Sequence, residues 1–198
     1  MPARIVTIAA AIDRSVAVSG LLAALHESVI AEPGWEIAIL SCRCERPELP
    51  ARLVSGVAGL LLDRDFLSAD LLIYHFDGWD PLFDAVVIGN GHARQAVVVY
   101  PLQPVARAAP SERQRAARSF AQLKTLRRAD RLWPTCPESA ALLAASDFDQ
   151  ARIEPFPLAG PAGHAAAPVE RPRPERVGAL IRDRIAALLP ASRPQPGG

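Results

Sequence analysis

The sequence predicts an α/β domain, a parallel sheet with helices on both faces, and three observations lead there. Short apolar runs alternate with longer amphipathic ones along most of the 198 residues. Those short runs are apolar throughout, as strands buried on both faces are. The first three segments read strand, helix, strand with a Pro-Gly stop before the second strand, and such a crossover makes neighbouring strands parallel.

The elements follow in order. Residues 4–10, RIVTIAA, read as the first strand. Residues 15–31 read as a helix with Val18, Leu21, Leu22, Leu25 and Val29 on one side and Ser15 as its cap. Pro33-Gly34 stops it, and residues 35–40 form the second strand. Residues 43–56 are polar and Pro-bearing, and 57–62 read as a short edge strand. Residues 70–76, DLLIYHF, form the third clear strand; a loop then leads to a helix over 81–88 with Pro81 at its first position. Residues 95–100 are the fourth clear strand and 101–110 a loop. The longest helix spans 111–129, with Ala116, Phe120, Leu123 and Leu126 as its apolar stripe. A strand begins at 131–133, a short helix covers 137–145, and 152–157 is extended. After Leu158 the composition turns to Gly, Ala, Pro and Arg. We therefore divide the chain into a domain over 1–158 and a tail over 159–198. Within the tail, 175–189 is amphipathic, with Val177, Leu180, Ile181, Ile185 and Leu188 sharing a face.

Composition narrows the function. Half the residues are hydrophobic, 22% are charged and the net charge is +1, which gives no bulk attraction for nucleic acid. Cys42 and Cys44 are too close for an easy disulfide, and with Cys136 they lack the spacing of a metal motif. No metal site is expected. The odd cysteine count favours reduced thiols and a cytoplasmic location. No run approaches the roughly 18 apolar residues of a membrane span.

Open parallel sheets bind ligands beyond the carboxyl ends of their strands. That rule gathers Asp13, Arg14 and Ser15; His75, Asp77 and Asp80; Tyr100 and Gln103; and Thr135, Cys136 and Glu138 on one rim. His75 and Asp77 are the residue types that orient a hydroxyl. Arg14 and the first helix's amides suit a diphosphate. Trp79 offers an indole to a sugar ring. Each has a plain reading beside this one. His75 could bond a backbone carbonyl at a strand end, Asp77 and Asp80 could cap the next helix, and Asp13 could be a turn residue. Trp79 could pack over the sheet end. Arg113, Arg115, Arg118, Lys124, Arg127 and Arg128 could form a solvated helix face, an anionic-lipid contact or a site for a diphosphate-linked acceptor.

The stretch 69–84, ADLLIYHFDGWDPLFD, resembles the N-terminal domain of the retaining GT-B glycosyltransferases of family four, a Rossmann-like half of a two-domain fold. Residues 95–100 resemble that family's next strand, 127–139 its Arg-Ala-Asp, strand, serine, helix segment, and 146–158 the end of the domain. Pro101-Leu102 stands where the family usually has His-Asn, and no glycine-rich turn follows the first strand. The resemblance implies an acceptor-binding half with His75 and Asp77 as catalytic candidates. Asp13, Arg14, Ser15, Trp79, Tyr100, Gln103, Thr135 and Glu138 would contact the acceptor. It also implies a nucleotide-sugar donor held outside these residues, because nothing after Leu158 reads as the donor domain with its paired glutamates. A second chain would then supply that domain. A glycan or lipid-linked acceptor is the expected partner, with peripheral contact at the inner membrane face through the basic helix. The alternatives are a non-catalytic glycan-binding or interaction module and a truncated product with no activity of its own.

Overall fold

The computed structural model describes residues 2–13, 17–78, 80–102, 109–146, 148–156 and 174–189. Six parallel strands form one sheet: β1 (Ala3–Ile12), β2 (Trp35–Cys44), β3 (Ala51–Leu53), β4 (Leu71–Phe76), β5 (Arg94–Val99) and β6 (Arg131–Pro134). Their spatial order is β3-β2-β1-β4-β5-β6, the arrangement of a doubly wound Rossmann-like sheet. The expected parallel α/β sheet is therefore the fold.

Helices cover both faces. On one side α1 (Ala17–Ile30) and α7 (Pro174–Leu188) pack over Ile5, Ala9, Ile39, Ile73, Ala96 and Val98. On the other lie α2 (Val57–Leu61), α3 (Arg64–Ser68), α4 (Phe83–Ile88) and α5 (Arg113–Thr125), over Val6, Ile8, Leu40, Leu72, Tyr74 and Val97. Leu143 of α6 (Pro137–Ala144) joins this second core. The period-two alternation of the strands assigns each apolar residue to its side.

Two expectations change. Residues 57–62 form α2 and not an edge strand; Val57, Leu60 and Leu61 fit a helical spacing equally well, and Leu60 is the residue buried. The edge is β3, within the polar, Pro-bearing segment 43–56. Pro81 sits in the turn before α4 rather than at its first position. The Ser15 cap lies outside the described residues, as does most of the tail. The helix expected over 175–189 is α7, and it lies on α1. Ile181, Ile185 and Leu188 are buried there. Glu154 anchors its far end, accepting from Arg184 and, at 2.8 Å, from Arg131 Nε.

Candidate functional site

The chain leaves β1 through α1 toward β2 and leaves β4 through α4 toward β5. Since α1 and α4 lie on opposite faces, the connections diverge at the β1–β4 pair. Divergence of this kind opens a crevice at the carboxyl ends, the usual ligand position of such sheets. Asp13 follows β1 and Asp77 follows β4 at that point. The Asp13 carbonyl accepts from Ser19 Oγ, which ties the end of β1 to α1.

Asp77 is exposed, yet neighbouring protein atoms desolvate its carboxyl and raise its pKa. Its own backbone amide and the Arg115 guanidinium of α5 oppose the rise, and the Asp13 carboxylate adds to it. The carboxyl ends of β1 and β4 therefore set two carboxylates from adjacent strands within electrostatic range of each other and of one guanidinium from a helix 38 residues further on.

His75 lies directly beneath, and its position differs from that of an open rim residue. It is 2% exposed. Thr7 Oγ1 is 2.9 Å from its Nε2, and Tyr100 Oη is 2.9 Å from its Nδ1. A neutral imidazole has one donor and one acceptor nitrogen, so both hydroxyls are satisfied. Burial lowers the His75 pKa to about 3, so the ring is neutral near pH 7. Neither nitrogen remains for a substrate hydroxyl. The Tyr100 ring stacks beside it, and burial followed by the Asp77 charge raises the Tyr100 phenol well above its ordinary value. Register explains the arrangement: His75 pairs with Ala9, so Thr7 is two residues away along β1 on the same face.

Tyr74, adjacent in sequence, points to the opposite face and bonds Asp80. Asp80 also accepts from the Leu82 amide at 2.6 Å, and its amide donates to Gln122 of α5 at 3.1 Å. It is 2% exposed and holds the turn into α4 against α5. Desolvation raises its pKa, opposed first by the Tyr74 hydrogen bond. Thr135 is buried, its Oγ1 donating to the Val99 carbonyl at 3.3 Å. Glu138 is fully exposed on the first turn of α6, where the Cys136 thiol lowers its pKa. Cys136 itself caps that helix in a reciprocal box with Ser139.

The structure thus sets Asp13 and Asp77 within electrostatic range of each other at the carboxyl ends of β1 and β4, with His75 and Tyr100 buried below. Thr135 and Glu138 belong to the β6–α6 corner. Arg14, Ser15, Trp79 and Gln103 lie outside the described residues. Thr7 went unnoticed in the sequence because a threonine inside an apolar strand carries no signal of its own. Arg115 was visible only as one of six basic residues on its helix. Among the described residues, no three His, Cys, Asp or Glu side chains converge as a metal site would need. None of their helices is long and apolar enough to cross a membrane.

No family model matches the sequence. No curated protein matches it either. Among solved structures, a crystal structure of UDP-N-acetylglucosamine 2-epimerase is similar at a TM-score of 0.47 and 10% sequence identity. The alignment covers 77% of this chain and 47% of that one, so the chain spans about half the length of this neighbour.

Proposed function

We propose that this chain is the acceptor-side domain of a GT-B-type glycosyltransferase. It binds a hydroxyl-rich acceptor at the mouth between β1 and β4. One observation carries the reading: Asp13 and Asp77 follow the adjacent strands β1 and β4 at the switch point of the sheet, within electrostatic range of each other and of the Arg115 guanidinium. Carboxylates are acceptors only, so paired carboxylates suit a ligand rich in hydroxyl donors. The motif order over 69–84, 95–100, 127–139 and 146–158 supports the same assignment. Asp77 is the group that orients the reacting hydroxyl. Its raised pKa brings it nearer the working range of a general base. His75 acts from behind as a positioning residue, fixing Tyr100 through its ring. The nucleotide-sugar donor is held by a second domain on another stretch of polypeptide.

A second reading has its own support. Both nitrogens of His75 are engaged in the core, which reduces the expected catalytic pair to Asp77 alone. A glycan-binding module without turnover needs no more than that. Calorimetric titration of the chain with a panel of neutral oligosaccharides tests both. Binding that falls at least about tenfold in Asp13→Asn/Asp77→Asn, with the fold intact, supports the mouth as the site; about tenfold corresponds to one lost charge-assisted hydrogen bond. Binding unaltered by the pair overturns it. Sugar transfer on adding a donor domain would then favour the enzyme over the module.

A further inference from the structure

We propose that the outer face of α5 docks on an anionic lipid surface. Six of the chain's 22 Lys and Arg, and one of its 21 Asp and Glu, lie between positions 111 and 128. The remaining chain then holds 16 basic residues against 20 acidic ones, so a near-neutral protein carries one concentrated positive face. Arg113, Arg115, Arg118, Lys124, Arg127 and Arg128 are all exposed. Among the described residues, no carboxylate comes within ion-pair distance of Arg113, Arg115, Arg118, Lys124 or Arg128.

The packing of the helix sets the shape of this face. Ala116, Ser119, Leu123 and Leu126 are buried against the domain. Gln114, Ala117 and Ala121 form the strip that points outward, flanked by Arg113 and Lys124 on one side and Arg118 on the other. Small residues between long cationic ones let the guanidinium and ammonium groups reach a flat surface together. The 13 residues extend this row over about 20 Å. Beyond the N-cap Glu112, the placement runs against the helix dipole, since the first turn itself has no acid and Arg113 and Arg115 stand there. An external anion at this end would relieve that unfavourable placement.

A planar partner fits the charge distribution. It touches only the positive face and leaves the net-negative remainder in solvent. Because Arg115 is near Asp77, the proposed mouth opens beside the surface. The outward strip has no large apolar side chain among the described residues, so the contact is electrostatic and salt-sensitive.

Co-sedimentation of the full chain with vesicles tests this. One set is phosphatidylcholine alone and the other is phosphatidylcholine with an equal part of phosphatidylglycerol. Binding is expected only to the anionic vesicles and is lost in high salt. Arg113→Gln/Arg118→Gln/Lys124→Gln should lower the partition coefficient by more than tenfold, at on the order of fivefold per charge. The charge reversal Arg113→Glu/Arg118→Glu/Lys124→Glu should abolish it. Circular-dichroism melts confirm that each variant folds, and the neutral set serves if the reversal does not. Asp13→Asn/Asp77→Asn removes only negative charge and should bind anionic vesicles at least as tightly as the parent, which separates this surface from the mouth. Three results overturn the proposal: no binding to anionic vesicles, binding indifferent to the α5 variants, or tighter binding to duplex DNA at the same salt.

Discussion

His75 shows how far one side chain's chemistry depends on depth. At a solvated strand tip its imidazole would titrate near 6.5, but sealed between Thr7 and Tyr100 it titrates at about 3. The unfolded chain therefore takes up a proton below pH 6.5 that the folded chain refuses. Stability is complete above 6.5 and falls as the pH drops toward 3. Between pH 6.5 and 4 this amounts to on the order of 3 kcal/mol. Asp77 and Asp80 act in the opposite sense, because raised carboxyl pKa values favour the fold in acid and disfavour it as pH rises. His75→Gln keeps a hydrogen-bonding group for both hydroxyls and removes the titration. Urea midpoints at pH 7, 5 and 4 should decline less steeply in the variant; parallel declines would exclude His75 as the source. Asp80 offers a second test, since its oxygens accept from Tyr74 and from the Leu82 amide. Asp80→Ala should cost about 2–4 kcal/mol in urea unfolding, because it orphans those donors in a buried turn. The sequence placed His75 at the mouth end of its strand correctly in order, since DLLIYHF announces the strand. Its depth was not legible, because the covering came from Tyr100 and Thr7, 25 and 68 residues away.

Elements were easier to read than contacts wherever a long apolar run bounded by turn residues fixed both type and place. That held for the strands now called β1, β2, β4, β5 and β6. It failed between 43 and 62. β3 has only three residues with Arg52 at its centre, and its strand character comes from pairing with β2 rather than from its own side chains. α2 has only five, too few to tell a helical period from an apolar run. α7 is the opposite case, a helix legible from its stripe inside a Pro- and Ala-rich tail. What the stripe could not disclose was its partner, α1. Ile185 is fully buried in that contact. Ile185→Ala should therefore destabilise the chain by about 2–4 kcal/mol, through lost burial and the cavity left behind. Exposed Asp183 serves as the control, with Asp183→Ala within about 0.5 kcal/mol of the parent. A loss below that limit for Ile185→Ala would mean that α7 does not seal the core in solution.

At the scale of the whole molecule, sheet order decides both where the mouth lies and which parts hold it still. β1 and β4 occupy the centre, each with a strand on both sides and helices over both faces. The two ends proposed to meet a ligand therefore rest on the segments hardest to open. Among the described residues the edges differ: β3 has a single neighbour and three residues, and β6 has four, with only the isolated Ile153 bridge beyond it. Amide exchange at the centre requires the molecule to open globally, while a short edge strand exchanges through local fraying. Hydrogen-exchange mass spectrometry should therefore find the peptides covering Ile5–Ala9 and Leu71–Phe76 slowest and those covering Ala51–Leu53 fast. The contrast should span most of the global stability, which is about 5–15 kcal/mol for a domain of this class. Ligand binding at the mouth would add protection at Asp13 and Asp77 and leave the strands below unchanged, because they are already at the global limit. Central strands that exchanged as fast as β3 would remove the rigid floor on which the carboxylate pair is built, and with it the reason for placing the site there.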